Sequence, residues 1–102
     1  MTSKEIEEII NKEINNRWEI SNAHGVDLRN ALTMPIKQSY LSLDKENSID
    51  LWTVLEETPD GNGYKIYYDE KENYFGLGIK TDKNELICLG PYGTFLETFE
   101  AM

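Results

Sequence analysis

One histidine stands in a polar segment and is the first candidate for chemistry in this chain. His24 is followed by Gly25, Asp27 and Arg29. A group that can take up and release a proton therefore lies close to a carboxylate that could orient it. His24, Asp27 and Arg29 are the candidate catalytic residues of a small enzyme or ligand-binding protein. The alternative is a structural histidine, hydrogen-bonded to backbone in a packed loop.

A hydrolase also needs an activated nucleophile, and the hydroxyl and thiol groups here lie in no motif that supplies one. None of the serines follows a nucleophile-elbow pattern, and Cys88 lies in an apolar segment that predicts a buried, unreactive thiol. One histidine and one cysteine are too few for a zinc site. No phosphate loop, dinucleotide motif or calcium-loop signature is present. We expect no metal and no cofactor, and the sequence favours a protein that is not an enzyme.

Acidic and aromatic side chains suggest a second kind of site, which binds another protein. Acidic residues outnumber basic ones by 19 to 10, a formal charge of −9. Nucleic-acid binding needs a cationic stripe, but the lysines here are scattered among acids. We therefore expect no nucleic-acid partner. Tyrosines among carboxylates suit a protein interface, because the rings add contact area and the acids attract a basic partner. The predicted binding residues are Trp52, Glu56, Glu57, Tyr67, Asp69, Glu70, Glu72 and Tyr74.

A different role for these residues is also open. The tyrosine rings could pack across neighbouring strands, and the negative charge could serve solubility alone. Because successive side chains of a strand point to opposite faces, we expect some of the rings to lie on the surface.

Five strands and two helices are predicted to carry the candidate residues. Runs of β-branched and aromatic residues between turn residues predict strands at 36–43, 49–57, 64–68, 74–79 and 85–89. Capping boxes at Thr2 and Thr94, each before an apolar stripe at helical spacing, predict helices at 3–16 and 94–102. A packed loop with a helical turn at 27–31 and a turn at 90–93 complete the chain. The expected fold is one α+β domain, 1–102: a five-stranded antiparallel meander flanked by an N-terminal and a C-terminal helix.

The fourth strand has two glycines on one face. Gly76 and Gly78 leave space there that something bulky must fill. We expect an aromatic ring from a neighbouring strand, either Tyr67 or Trp52. The alternative is a ligand groove, in which an enzyme would bring the His24 loop against this face.

The start of the chain has no apolar signal core, and no apolar run approaches the roughly 20 residues of a membrane span. A single cysteine excludes an internal disulfide, in agreement with a reducing compartment. We therefore expect a cytoplasmic protein that does not contact membranes, either as a monomer or as a homodimer.

Four segments carry a resemblance to known proteins. They are Asn22–Val26, Leu51–Glu57, Gly63–Asp69 and Gly90–Glu97. In these segments the chain resembles small bacterial single-domain proteins of unknown function that end in a similar Gly-x-Tyr-Gly-x-Phe segment. The resemblance covers most of the chain, from His24 onwards, and implies no catalytic motif. In size, charge and architecture the chain is also similar to bacterial immunity proteins that neutralise toxins, which implies a basic protein as partner.

The leading hypothesis is a non-catalytic, cytosolic protein-binding module with an acidic, tyrosine-bearing surface, and its specific form is an immunity protein for a basic toxin. The alternatives are a small ligand-binding protein or enzyme that uses the His24 loop, and a homodimeric structural protein that pairs through an exposed sheet edge.

Overall fold

The computed structural model describes residues 1–102 and has an α+β fold. Its helices are α1 (Ser3–Ile14), α2 (Leu28–Ala31) and α3 (Phe95–Ala101). Its strands are β1 (Leu32–Leu41), β2 (Ser48–Glu56), β3 (Tyr64–Asp69), β4 (Tyr74–Lys80) and β5 (Leu86–Gly93). Consecutive strands pair antiparallel, so the predicted five-stranded meander with helices at both ends is confirmed. None of the helices combines the length and the apolar character that crossing a membrane requires.

Local sequence signals set the ends of the longer helices. The Thr2 hydroxyl accepts the N–H of Glu5 at 3.2 Å, and the Glu5 carboxylate accepts the N–H of Thr2 at 2.9 Å. Thr94 and Glu97 form the same capping box at α3, so both predicted boxes are confirmed. α1 ends before the predicted residue 16, because Asn15 adopts the left-handed conformation with φ 49°.

The sheet closes on itself, which was not predicted from the sequence. Leu41 of β1 pairs in parallel with Ile87 of β5, so the strand order returns to its start. A closed sheet has an inner and an outer face. Both can be buried, the outer face by helices and the inner face by the sheet itself.

β5 is longer than predicted. It runs to Gly93, through the segment predicted to be a turn, and this prediction is wrong. Pro91 pairs with Gly76 and Gly93 pairs with Phe75, and the register shifts at two places along the way. Glycine and proline are compatible with a strand at such irregularities, although they more often mark turns.

The outer face of the sheet packs against α1 and α3. We call this region the helix-face core; its fully buried members include Ile6, Ile14, Val54, Leu55, Ile66, Phe95 and Phe99. Glu13 of α1 also ties the two helices together, because its carboxylate accepts the N–H groups of Phe95 at 3.2 Å and Leu96 at 3.1 Å. The carboxylate accepts hydrogen bonds from N–H groups in the first turn of α3, which have no partner within the helix. Its negative charge also interacts favourably with the helix dipole.

The inner face is filled by tyrosines. We call Tyr40, Leu51 and Tyr67 the inner cluster. A Cβ built on Gly76 would overlap the Tyr67 ring, and one built on Gly78 would lie 2.8 Å from Cε2 of Tyr40. The tyrosine rings therefore fill the space that the glycines leave. This agrees with the expected aromatic ring and not with the alternative of a ligand groove.

Two rings were predicted as candidates to cover the glycines. The prediction is confirmed for Tyr67 and is wrong for Trp52. Trp52 packs against the helix-face core, on the opposite face of the sheet. The second ring belongs to Tyr40, which comes from β1. β1 is not a neighbour of β4, so its ring reaches Gly78 across the inside of the closed sheet.

Candidate functional site

One asparagine side chain holds the loop that carries the histidine. The Asn22 Oδ1 accepts the N–H groups of His24 and Val26, both at 3.1 Å. Its Nδ2 donates to the carbonyl oxygen of Phe99 in α3 at 3.0 Å. Gly25 has φ +67°, a conformation that glycine adopts without strain. The loop is therefore fixed to α3 and presents His24 at the surface.

His24 contacts a glutamate from the end of β2. Its Nδ1 lies 2.6 Å from Oε2 of Glu57, while Oε1 of the same carboxylate accepts the Tyr64 N–H at 2.9 Å. The His24 ring also stacks on Tyr64, with centroids 5.6 Å apart and an interplanar angle of 29°. A carboxylate at Nδ1 keeps a proton on that nitrogen, so Nε2 is the ring atom left for a ligand.

The His24–Glu57 pair lies in a groove of about 530 Å³, between the 24–31 segment, the start of β1 and the end of β2. We call it the acidic groove; its polar lining residues are His24, Asp27, Asn30, Thr33, Glu56, Glu57 and Thr58. No lysine or arginine lines it. Its electrostatic field is therefore negative and favours cationic groups.

Each carboxylate of the groove is held in place by the chain. Oδ1 of Asp27 accepts the N–H of Arg29 at 3.1 Å, and its Oδ2 accepts from Nδ2 of Asn30 at 2.8 Å. Oε1 of Glu56 pairs at 2.8 Å with Nζ of Lys65, whose side chain is almost fully buried. A carboxylate has about four acceptor positions, so these contacts leave acceptor capacity for a ligand.

The candidate catalytic residues are only partly brought together. His24 and Asp27 both line the acidic groove. Arg29 does not line it, because its guanidinium lies over the Trp18 ring, 5.0 Å from the ring centroid. The predicted location of these residues beside Gly76 and Gly78 is wrong, since tyrosine rings cover those glycines.

Two of the predicted binding residues form a separate cluster on the surface. Oε1 of Glu70 accepts from Nζ of Lys37 at 2.8 Å and from Nε1 of Trp52 at 3.3 Å. Chiefly the hydrogen bond from Lys37, and then the one from Trp52, lowers the pKa of Glu70 to about 2. The carboxylate is therefore ionised and engaged within the chain, and it lies outside the acidic groove.

Tyr67 and Asp69 were predicted to lie on an exposed surface, and this placement is wrong. They are 1% and 8% exposed. Tyr67 belongs to the inner cluster, and Oδ1 of Asp69 accepts the N–H groups of Lys71 and Glu72 in the turn after β3. The Tyr67 hydroxyl accepts a hydrogen bond from the thiol of Cys88 at 3.2 Å, and burial raises the pKa of Tyr67. Cys88 is partly exposed, in contrast to its predicted burial. Tyr74 is half-buried and Glu72 is exposed, and neither lines the acidic groove.

The pairing of His24 with Glu57 had no signal in the sequence. Both residues were singled out, but for different sites, and 33 positions separate them. The backbone N–H of Glu57 donates to the carbonyl oxygen of Tyr64 at 2.9 Å, across the hairpin between β2 and β3. Nothing local indicates that the His24 loop folds over that hairpin.

Comparisons of the chain with protein-family models, with curated proteins and with solved structures found no match. No group of three or more histidine, cysteine, aspartate or glutamate side chains is arranged to hold a metal ion. A functional assignment consequently depends on the geometry of the acidic groove.

Proposed function

We propose that this protein is a non-catalytic binding module that receives a basic side chain of a protein partner in the acidic groove. The observation that supports the proposal is the groove itself, where Asp27, Glu56 and Glu57 lie together without a lysine or arginine in the lining. A guanidinium or ammonium group entering it would form charge-assisted hydrogen bonds. The formal charge of −9 would also attract such a partner from a distance.

A basic toxin is the partner class that this proposal favours. The likeness to immunity proteins supports it through size, charge and architecture. Such a protein would act in the cytosol, and the single cysteine of the chain is compatible with that compartment. Neutralisation would come from occupying the toxin's basic surface, and this requires no cofactor.

The same groove supports a second candidate function, a small enzyme that uses His24 as a general acid or base. The contact between Nδ1 and Glu57 orients the ring and leaves Nε2 for proton transfer. The nearby Thr58 hydroxyl donates its proton to Asp60 at 2.6 Å, so this proton is not shared with His24. Under this alternative, His24→Gln would abolish turnover of a small molecule. Under the binding proposal it would alter affinity only.

A homodimer through the sheet edge is the third possibility. β1 pairs with β2 along its length but with β5 only at Leu41, so part of one edge is open. Pro35 on this strand has no N–H to donate and Lys37 adds a charge, and both features oppose pairing between edges. Size-exclusion chromatography with light scattering would detect the dimer directly.

The proposal is tested by titrating the ¹⁵N-labelled protein with an acetylated, amidated tri-arginine peptide. We expect chemical shift changes at His24, Glu57 and Tyr64, and weaker binding at high salt. Glu57→Gln should weaken binding about tenfold, because it removes a charged hydrogen-bond acceptor. Glu72→Gln is the matched control, since it removes one exposed negative charge outside the groove. Equal effects of the two variants, or shifts spread over the whole acidic surface, would contradict the proposal.

The natural partner is sought by affinity capture with the same variants. Wild-type protein and Glu72→Gln should retain one basic protein that is released at high salt, whereas Glu57→Gln should not. Capture that is indifferent to Glu57→Gln would exclude the acidic groove as the binding site.

A further inference from the structure

A second depression lies beside the acidic groove, between α1 and the start of β1. It has a volume of about 240 Å³ and is lined by Glu7, Ile10, Asn11, Leu32, Thr33 and Met34. We call it the apolar depression. Thr33 lines both the apolar depression and the acidic groove, so the two share a wall.

The two depressions differ in chemistry. Aliphatic side chains of Ile10, Leu32 and Met34 line the apolar depression. Met34 is 64% exposed, and its Sδ accepts a hydrogen bond from the Ser3 hydroxyl at 3.1 Å, which holds the thioether against α1. Ile36 on the same strand is 54% exposed. Isolated exposed apolar residues are ordinary, but Met34 is exposed and also lines the apolar depression, so the two together form an apolar patch suited to binding.

From this arrangement, and resting on the proposed function, we infer that the partner contributes an extended segment with an aliphatic and a basic side chain two positions apart. Side chains i and i+2 of a strand point to the same side, about 6.6 Å apart. Thr33 lines both depressions, so one extended segment that passes over this residue reaches both. The aliphatic side chain enters the apolar depression, and the basic one enters the acidic groove.

Charge supports a basic segment as the occupant. No lysine or arginine lines either depression, and Glu7 extends the negative field to the rim of the apolar one. A second copy of this chain would bring a formal charge of −9 against an equal charge. The repulsion disfavours a homodimer at this surface.

The inference is tested by comparing two acetylated, amidated peptides, Leu-Gly-Arg and Gly-Gly-Arg, by NMR titration of the full chain. Leu-Gly-Arg should bind about tenfold more tightly, because it buries an aliphatic side chain. It alone should shift the amide signals of Asn11 and Met34. Equal affinities would overturn the inference and leave the proposed function intact. Failure of both peptides to shift signals at the acidic groove would overturn the proposed function as well.

Matched variants of the protein test whether the leucine side chain of the peptide binds in the apolar depression. Met34→Glu and Leu43→Glu each replace an exposed apolar side chain by a carboxylate, at positions 64% and 67% exposed. Met34→Glu should abolish the advantage of Leu-Gly-Arg over Gly-Gly-Arg, and Leu43→Glu should preserve it. Met34→Ser replaces the first variant if that one does not fold. An advantage that persists in the Met34 variant would overturn the inference.

Discussion

The helix-face core and the inner cluster lie on opposite faces of the same strands, and they are packed by different means. On the outer face, aliphatic and aromatic side chains from strands and helices interdigitate. The Phe75 ring, for example, contacts the rings of Tyr68 and Phe95, with centroid distances of 4.7 Å and 5.7 Å. On the inner face, the rings of Tyr40 and Tyr67 lie over glycines, and their hydroxyls are hydrogen-bonded.

This difference shows how a closed sheet with few strands can be filled. The inner space receives side chains from every strand, so two large rings require positions without side chains opposite them. The glycines of β4 supply those positions. Hydroxyl groups on the buried rings then need partners, because a buried polar group without a hydrogen bond is destabilising.

The largest effect is expected in the helix-face core. Phe99 is fully buried and stacks on Phe95, with centroids 6.3 Å apart. Phe99→Ala should lower the free energy of unfolding by about 4 kcal/mol, through lost burial and the cavity that remains. Urea unfolding followed by circular dichroism measures this loss, and Phe99→Leu is the volume-sparing control. A loss below about 1 kcal/mol would mean that α3 contributes little to the core.

Gly76→Ala should have the next largest effect and would test whether the inner cluster is limited by space. The new Cβ would overlap the Tyr67 ring and the backbone of Gly90, so we expect a loss of about 3 kcal/mol. Gly25→Ala is the comparison, since its Cβ would meet nothing within 4 Å and only its φ of +67° is strained. That variant should lose about 1 kcal/mol. Equal losses in urea unfolding would show that the inner cluster can rearrange around the added methyl group, so that space does not select glycine at position 76.

The inner cluster should also make stability sensitive to alkali. Burial raises the pKa of Tyr40 from 10.0 to about 12. The folded state thus favours the neutral phenol. Its contribution to the free energy of unfolding is fully present below pH 10 and is lost as the pH rises towards 12. The loss should reach about 2 kcal/mol. Unfolding measured from pH 8 to 12 should show a steeper decline for wild type than for Tyr40→Phe. Parallel curves would place the alkaline sensitivity elsewhere.

The smallest effect concerns one hydroxyl of the inner cluster. Tyr67→Phe removes the acceptor of the Cys88 thiol and keeps the ring over Gly76. The expected loss is about 1 kcal/mol, the net contribution of one hydrogen bond. Tyr74→Phe changes a half-buried tyrosine in the same way and should cost less. If Tyr67→Phe costs as much as Gly76→Ala, the hydroxyl matters more than the packing.

The outer face of the fold could be predicted from the sequence, because its signals are local. The capping boxes at Thr2 and Thr94 and the isoleucine spacing of α1 are properties of a few neighbouring residues. The same holds for the hairpin turns that separate the strands of the meander.

The inner face and the acidic groove could not be predicted as fully, because both depend on contacts between distant segments. Tyr40 reaches Gly78 only when the sheet closes through Leu41 and Ile87. That closure also buries Tyr67, which was predicted to be a binding residue at the surface. Likewise, His24 reaches Glu57 only when its loop is tied to α3 through Asn22.

That asparagine couples the proposed binding surface to the C-terminal helix. The Asn22 side chain holds the backbone on both sides of His24 with one end and the last turn of α3 with the other. Fraying of α3 would release the loop and dissolve one wall of the acidic groove. A bound partner would therefore slow amide hydrogen exchange in α3 without touching it, since ligands stabilise every segment whose opening destroys their site.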